Sequence, residues 1–365
     1  MRVKDFPFER FLEYKEKKDS VFLEFINNGL GYTPIVSPPD SFHWTGICAD
    51  KALSLESQLD YLFENTRTES DFAFNYIEPW YGVGVFASAY GCKYEFTGND
   101  SPQTRPVFNT LDDLNGIKKP SVKDCEVMMH IIEMIKYFKT QTGGCLDISL
   151  TDTQSANDSA SLVLDHTEML IASMLEPERL DPLLNQITEL IIEFTDMQID
   201  AIGDSLSRPG HAMLGSKKLT GIAIADDNMI ALSPKTYEDT SYKFNKRLSE
   251  YYGGISIHSC GNASTNLKKL AKTPNLFMVD LALGHAVDPS PNPQEAVIEA
   301  FKGTDTIVKV KIGDRELEKI ELLLKSDVKI VIELRINDAA STEERNERFF
   351  AAKEKVELLK NQIAF

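Results

Sequence analysis

His258 and Cys260 stand two positions apart in the run Gly-Ile-Ser-Ile-His-Ser-Cys-Gly-Asn, residues 254–262. In a β-strand, residues i and i+2 point to the same side, so the imidazole and the thiol become neighbours with the small Ser256 beneath them. Such a pair can chelate Zn2+, at about 2.0–2.1 Å from nitrogen and about 2.3 Å from sulfur. The same residues also describe a packed cysteine beside a hydrogen-bonded histidine. Only the elements around them distinguish the two.

Short runs rich in β-branched residues occur at 32–37, 72–77, 146–151, 219–225, 254–259, 276–281, 306–311 and 328–334. Between them lie segments of helical period. Over 178–201, Leu180, Leu183, Leu184, Ile187, Leu190, Ile191, Phe194 and Met197 form one apolar stripe. Another helix is expected to open at Ser233-Pro234, with serine as N-cap and proline at the first helical position. Eight strands alternating with helices predict an α/β fold, a single (β/α)8 TIM barrel over residues 31–365. Residues 1–30 predict a helical N-terminal extension, because Phe8, Phe11, Leu12, Phe22, Phe25 and Ile26 recur at helical spacing before Asn27-Asn28-Gly29. Pro34 in the first strand, Lys309 and Lys311 in the seventh and long crossovers fit the barrel less well and keep a doubly wound sheet as the alternative.

Active sites of such barrels lie at the C-terminal ends of the strands. The polar residues expected there include Glu78, Asp152 and Asp226, which are candidate acid–base groups. Asp226 and Asp227 point to opposite sides, so at most one faces the barrel. Tyr76, Trp80, Tyr81, Asn262 and His285 are candidate substrate contacts, with His43 and Trp44 nearby, and His211 lies on a Gly/Pro-bearing loop that could act as a lid. Asp280 and Glu333 are candidate metal ligands beside His258 and Cys260. Glu333 could instead pair with Arg335 on the same strand face.

The whole chain has 365 residues with 42% hydrophobic and 26% charged, enough to bury a core. Its 56 acids against 39 bases give −17, the wrong sign for gripping a phosphate backbone or an anionic membrane. No apolar run is long enough for a membrane span, and the charged start does not read as a signal, so a cytoplasmic protein is expected. Five scattered cysteines (48, 92, 125, 145 and 260) argue for reduced thiols.

Three stretches carry a resemblance: EPERLDPLLNQITELIIEFTDMQIDA, AIADDNMIALSPKTYEDTSYKFNKRL and GGISIHSCGN. Together they resemble the uroporphyrinogen decarboxylase superfamily over roughly residues 30 to 350, most closely its zinc-dependent corrinoid and coenzyme M methyltransferase branch. The arginine-rich motif of true uroporphyrinogen decarboxylases is missing after the first strand, which reads PIVSPPDSFHW, and the decarboxylase aspartate is missing unless Glu78 stands in for it. The resemblance implies a (β/α)8 barrel in which a His-x-Cys pair and a later cysteine hold zinc, and the metal activates an acceptor thiol. His258 and Cys260 match the first two ligands, but no cysteine follows Cys260. Glu333, Asp280, or a loop cysteine, Cys48 or Cys92, are the substitutes considered.

The expected function is a zinc-dependent methyltransferase moving a methyl group between a corrinoid, carried on a partner protein, and a small acceptor such as a thiol. A metal-free decarboxylase or lyase using Glu78, Asp152 or Asp226 with His258 as electrophile is the alternative, followed by a barrel that only binds a small molecule. Self-association as a homo-oligomer is compatible with all three.

Overall fold

The computed structural model describes residues 1–29, 31–39, 50–96 and 101–361. The strands are β1 (Ile35–Val36), β2 (Tyr94–Glu95), β3 (Gln103–Thr104), β4 (Ile222–Ala225), β5 (Ile255–Ser259), β6 (Leu276–Ala282), β7 (Ile307–Gly313) and β8 (Lys329–Arg335). Six of them form one parallel sheet in the order β1-β8-β7-β6-β5-β4, while β2 and β3 make a separate antiparallel hairpin that the sequence reading did not anticipate. The helices that matter below are α1 (Phe8–Asn28), α2 (Lys51–Asn65), α3 (Val85–Ala89), α4 (Glu126–Thr142), α5 (Ala156–Val163), α6 (His166–Leu175), α7 (Pro177–Ile202), α8 (Pro234–Tyr237) and α9 (Lys243–Tyr252).

The remaining arc of the (β/α)8 barrel is carried by the two segments expected as the second and third strands. They pair through single parallel bridges, Ile77 with Ile148, Ile148 with Leu206 and Gln154 with Ala225, instead of continuous ladders. The physical reason lies in side-chain amides that take over the backbone groups. Gln58 on α2 accepts from the Glu78 N–H (2.6 Å) and donates to the Glu78 carbonyl (2.9 Å). Asn65 donates to the Phe74 carbonyl (2.8 Å), and Gln198 on α7 accepts from the Thr151 N–H (2.9 Å). These backbone groups are satisfied without a neighbouring strand, so the chain there needs no regular pleat.

Apolar side chains of the strands and helices form the large outer core, in which the stripe of α7 is wholly buried. Inside the barrel the composition changes along the strands. Phe22 and Phe25 of α1 pack with Val36, Ala223, Met278, Ile307 and Val331, so the N-terminal helix closes the N-terminal end of the barrel. Two residues further along β6, β7 and β8 the same inward positions hold Asp280, Lys309 and Glu333, each no more than 2% exposed. Period-two alternation thus sets an apolar floor beneath a charged layer.

Loop 207–216 is not a lid. Arg208 and Ser216 pair back to back, and the tip residues Met213 and Leu214 are buried in the same floor as Phe22 and Phe25. The Tyr76 hydroxyl donates to the Met213 carbonyl at 2.8 Å. Burying two large apolar side chains anchors the loop inside the barrel and leaves His211 on a fixed wall.

Candidate functional site

A cavity of about 500 Å3 opens above the charged layer, lined by Gln58, Tyr61, Tyr76, Glu78, His211, Asp280, Lys309, Lys311, Glu333 and Arg335 among others. Its charges are laid out by strand register. Asp280 faces Lys309 across β6 and β7, and Lys311 faces Glu333 across β7 and β8. Lys309 Nζ reaches Asp280 Oδ1 at 3.0 Å and also bonds Glu333, whose other oxygen pairs with Arg335. Burial would push both carboxylates up. The ammonium of Lys309 overrides it, with Lys311 and His258 holding Asp280 well below the usual range and Arg335 helping to lower Glu333. Taking away one partner of such a buried pair strands the other charge at low dielectric.

His258 stands at the end of β5 with its Nδ1 2.6 Å from Asp280 Oδ2. An ionised Asp280 can only accept, so Nδ1 is the donor, and in the neutral ring this leaves the lone pair on Nε2. Nε2 lies 3.2 Å from Cys260 Sγ and 3.7 Å from Asp227 Oδ1. Potential ligand atoms of Asp227, His258 and Cys260 all lie within 4.8 Å of one another, and among the described residues this is the trio of metal-ligand type that the fold brings together.

The turn after β5 is held by residues from two neighbouring segments, the turn after β4 and the loop after β6. Asp227 Oδ1 accepts from the Cys260 N–H (2.6 Å), Asp288 Oδ2 from the Gly261 N–H (2.7 Å), and Asn292 accepts from the Ala263 N–H and donates to the Gly261 carbonyl. Burial, with Asp227 adding to it, pushes the Cys260 thiol up to about 12.

The structure distributes the sequence-predicted residues unequally. His258 and Cys260 are adjacent as expected. Asp280 buttresses His258 from behind, and Glu333 is tied into the Lys309 and Arg335 pairs; neither joins the trio, whose third member is Asp227. Glu78 and Tyr76 line the cavity. Glu78 accepts from His211 Nδ1 at 2.8 Å, and His211 Nε2 is 3.7 Å from Asp152, which also accepts from Gln154. Burial pushes His211 down, yet Asp152 and Glu78 outweigh it and raise its pKa to about 9.

Asp226 is fully buried behind the wall, accepting from Ser155, Ser241 and Asn245, and burial lifts it to about 6. Trp80 is buried, while Tyr81 stacks edge-on with Tyr94 and His130. Asn262 and His285 line a separate surface depression. Cys92 is buried against the Leu162 carbonyl, whereas Cys48, His43 and Trp44 lie outside the described residues. Lys309, Lys311, His211, Asp288 and Asn292 are the residues that the sequence reading had not placed in the site; two lysines two apart in a barrel strand were the available signal.

A parallel barrel with its charged groups gathered above an apolar floor is the architecture expected from the motifs, and sequence comparison agrees with it. Residues 71–209 match the family model of uroporphyrinogen decarboxylase (URO-D), which bears out the resemblance at the level of that superfamily. The fold is similar to that of a methyltransferase from Methanosarcina mazei, with a TM-score of 0.64 over 93% of this chain and 98% of that one at 15% identity. No curated protein sequence matches the chain significantly. Among the described residues no helix is long and apolar enough to cross a membrane.

Proposed function

We propose that the protein is a zinc-dependent methyltransferase that moves a methyl group from a corrinoid on a partner protein to a small thiol. The observation that carries the reading is the convergence of Asp227, His258 and Cys260. One carboxylate, one imidazole and one thiol make a three-donor set of the kind that leaves a fourth position open in catalytic zinc sites. The fit extends to the surroundings, because Asp280 fixes the His258 tautomer with Nε2 toward the other two donors, as carboxylate–histidine pairs do behind zinc.

Bound by these residues, zinc would act as a Lewis acid that lowers the pKa of an acceptor thiol. Cys260 must give up its proton to ligate, which makes metal uptake pH-dependent. Asp227 holds the Cys260 backbone while offering its carboxylate, and the cavity beside the trio provides the substrate space. Elemental analysis should find about one zinc per chain, lost in His258→Ala and Cys260→Ser. Metal-free protein that nevertheless turns over, or zinc content unchanged from the wild type in both variants, would refute the reading.

A metal-free decarboxylase or lyase draws on a different observation, the Glu78–His211–Asp152 group in the cavity wall. It predicts release of CO2 or an alkene in the presence of a chelator, which methyl transfer does not. A barrel that only binds its ligand would show saturable binding with zinc and methylated corrinoid protein present, and no turnover.

A further inference from the structure

We infer that Asn292 is a positioning residue of the candidate metal site, setting where the Cys260 thiol stands relative to the His258 imidazole. The consequence for a metal rests on the proposed reading of the Asp227–His258–Cys260 trio. The cause rests only on hydrogen bonds within the protein.

The sheet does not place Cys260. The ladder between β5 and β6 ends with the pair Ser259 and Leu281, and beyond Ser259 the chain turns through Gly261 at φ +67. His258 lies inside the ladder opposite Asp280, whose carboxylate holds its Nδ1. The imidazole is thus referenced to β6. The thiol two residues later stands on a turn whose backbone groups must find partners outside the ladder.

Asn292 supplies the missing reference to β6. Its Oδ1 accepts from the Ala263 N–H (2.8 Å), while Nδ2 donates to the Gly261 carbonyl (2.9 Å) and to the Ala282 carbonyl (3.2 Å). Its own backbone N–H also donates to the Ala282 carbonyl, at 2.8 Å. Ala282 is the last residue of β6, two beyond Asp280. One amide therefore ties the Cys260 turn to the strand that orients His258. The reverse amide orientation would aim Oδ1 at two carbonyls, so the partners fix which end donates. Asn292 is 3% exposed, which keeps water from competing for these bonds, whereas Asp227, which takes the Cys260 N–H, has a side chain 43% exposed.

The loop that carries Asn292 is held independently of that side chain. Glu316 accepts from the His285 and Ala286 N–H groups (3.1 and 2.9 Å), the Leu283 N–H reaches the Lys311 carbonyl (3.0 Å), and Asp288 Oδ1 accepts from the Ser290 N–H (2.8 Å). Pro291 and Pro293 flank Asn292. The first has a fixed φ, and the second disfavours the helical region for the residue before it. Order therefore passes from this loop to the turn. Gln294, two residues on, bonds backbone in the same manner, but its Oε1 accepts from the Leu322 and Leu323 N–H groups (2.9 and 3.2 Å), in the segment after β7.

The test compares full-length wild type with Asn292→Ala and with Gln294→Ala as the control. Amide hydrogen exchange in chelator-treated protein reads the turn without metal. The Cys260 and Gly261 N–H groups keep their own acceptors, Asp227 and Asp288, yet should exchange about tenfold faster in Asn292→Ala and at the wild-type rate in Gln294→Ala. Co2+ then reports on the thiol: per bound ion, the thiolate-to-cobalt charge-transfer band should weaken in Asn292→Ala. Zn2+ affinity, by competition with a chelator, should fall about 10–100-fold, as on loss of other partners that orient metal ligands. Thermal melts check folding, and Asn292→Ser, too short to span Gly261 and Ala263, serves if Asn292→Ala does not fold. Wild-type exchange at Cys260 and Gly261 in a folded Asn292 variant, an unchanged cobalt band and zinc affinity, or equal losses in Gln294→Ala would each overturn the inference. Wild-type protein that takes up neither ion would sink the methyltransferase reading instead, and the exchange rates alone then decide whether Asn292 places Cys260.

Discussion

Asp280 and His258 are joined by a 2.6 Å bond between Oδ2 and Nδ1, and the same carboxylate takes Lys309 on Oδ1 and Lys311 on Oδ2. One fully buried side chain therefore connects the candidate metal ligands to the cationic lining of the cavity. A substitution there should therefore be felt in both.

Asp280→Asn keeps the shape but removes the charge. The His258 tautomer is then no longer enforced, and zinc affinity should fall about 10–100-fold, measured by competition with a chromogenic chelator. Lys309 would retain only Glu333 at full strength, so stability should also drop, by about 3–5 kcal/mol if the loss resembles that of other broken buried pairs. Unchanged zinc affinity in a folded variant would show that His258 is oriented by something else.

The pH dependence of stability has a specific source in His211. Its folded pKa of about 9 lies above the ordinary histidine value of about 6.5, so the folded state binds the extra proton more tightly. That stabilisation is fully present below about pH 6.5 and disappears as pH rises through about 9. The facing groups are Glu78, Asp152 and Asp280. Burial raises Glu78, which affects acidic pH instead, and the cavity cation Lys311 is raised above 10.5, outside the window. The melting temperature should therefore fall by a few degrees between pH 7 and 9.5 in the wild type and less in His211→Gln. Parallel slopes would contradict the assignment of His211 as a buried imidazolium.

Much of the barrel could be read from the sequence, and the exceptions are instructive. The runs at 254–259, 276–281, 306–311 and 328–334 became β5 to β8 with small changes at their ends, because apolar, β-branched alternation is a local property. The stretches 72–77 and 146–151 show similar local patterns, yet Gln58, Asn65 and Gln198 bond their backbones from distant helices, which no local pattern records. The site divides in the same way. His258 and Cys260 are neighbours through strand period alone. The roles of Asp280 and Glu333 depended on cross-strand register, which sets Lys309 and Lys311 between them; those lysines looked like flaws in a buried strand and are its counter-charges. Asp227 became the third member through the turn after β4, where Asp158 accepts from the Asp227 and Asn228 N–H groups and fixes the backbone. His211 was misread as part of a lid because the loop's glycine and proline outweighed Met213 and Leu214, whose apolar side chains indicate anchoring.

The turn that presents Cys260 offers a test that removes no ligand atom. Gly261 has φ +67, a region costly for residues with a side chain, and a Cβ there would meet Ile230 Cδ1 at 2.8 Å. Ile230 is 46% exposed and can move aside, so Gly261→Ala should fold at a backbone cost of about 1–2 kcal/mol. The strain acts on a peptide whose N–H is held by Asp288 while the preceding one is held by Asp227, and relaxing it shifts Cys260 relative to His258. Zinc affinity should fall several-fold although Asp227, His258 and Cys260 all remain. Gly303→Ala supplies the control, since Gly303 has φ +73 with nothing near its Cβ position and lies in the turn before β7, away from the trio. It carries a similar backbone penalty and should leave zinc affinity unchanged. If both variants bind zinc alike, the geometry of the Cys260 turn does not matter to the metal; a loss confined to Gly261→Ala ties binding to the placement of that thiol.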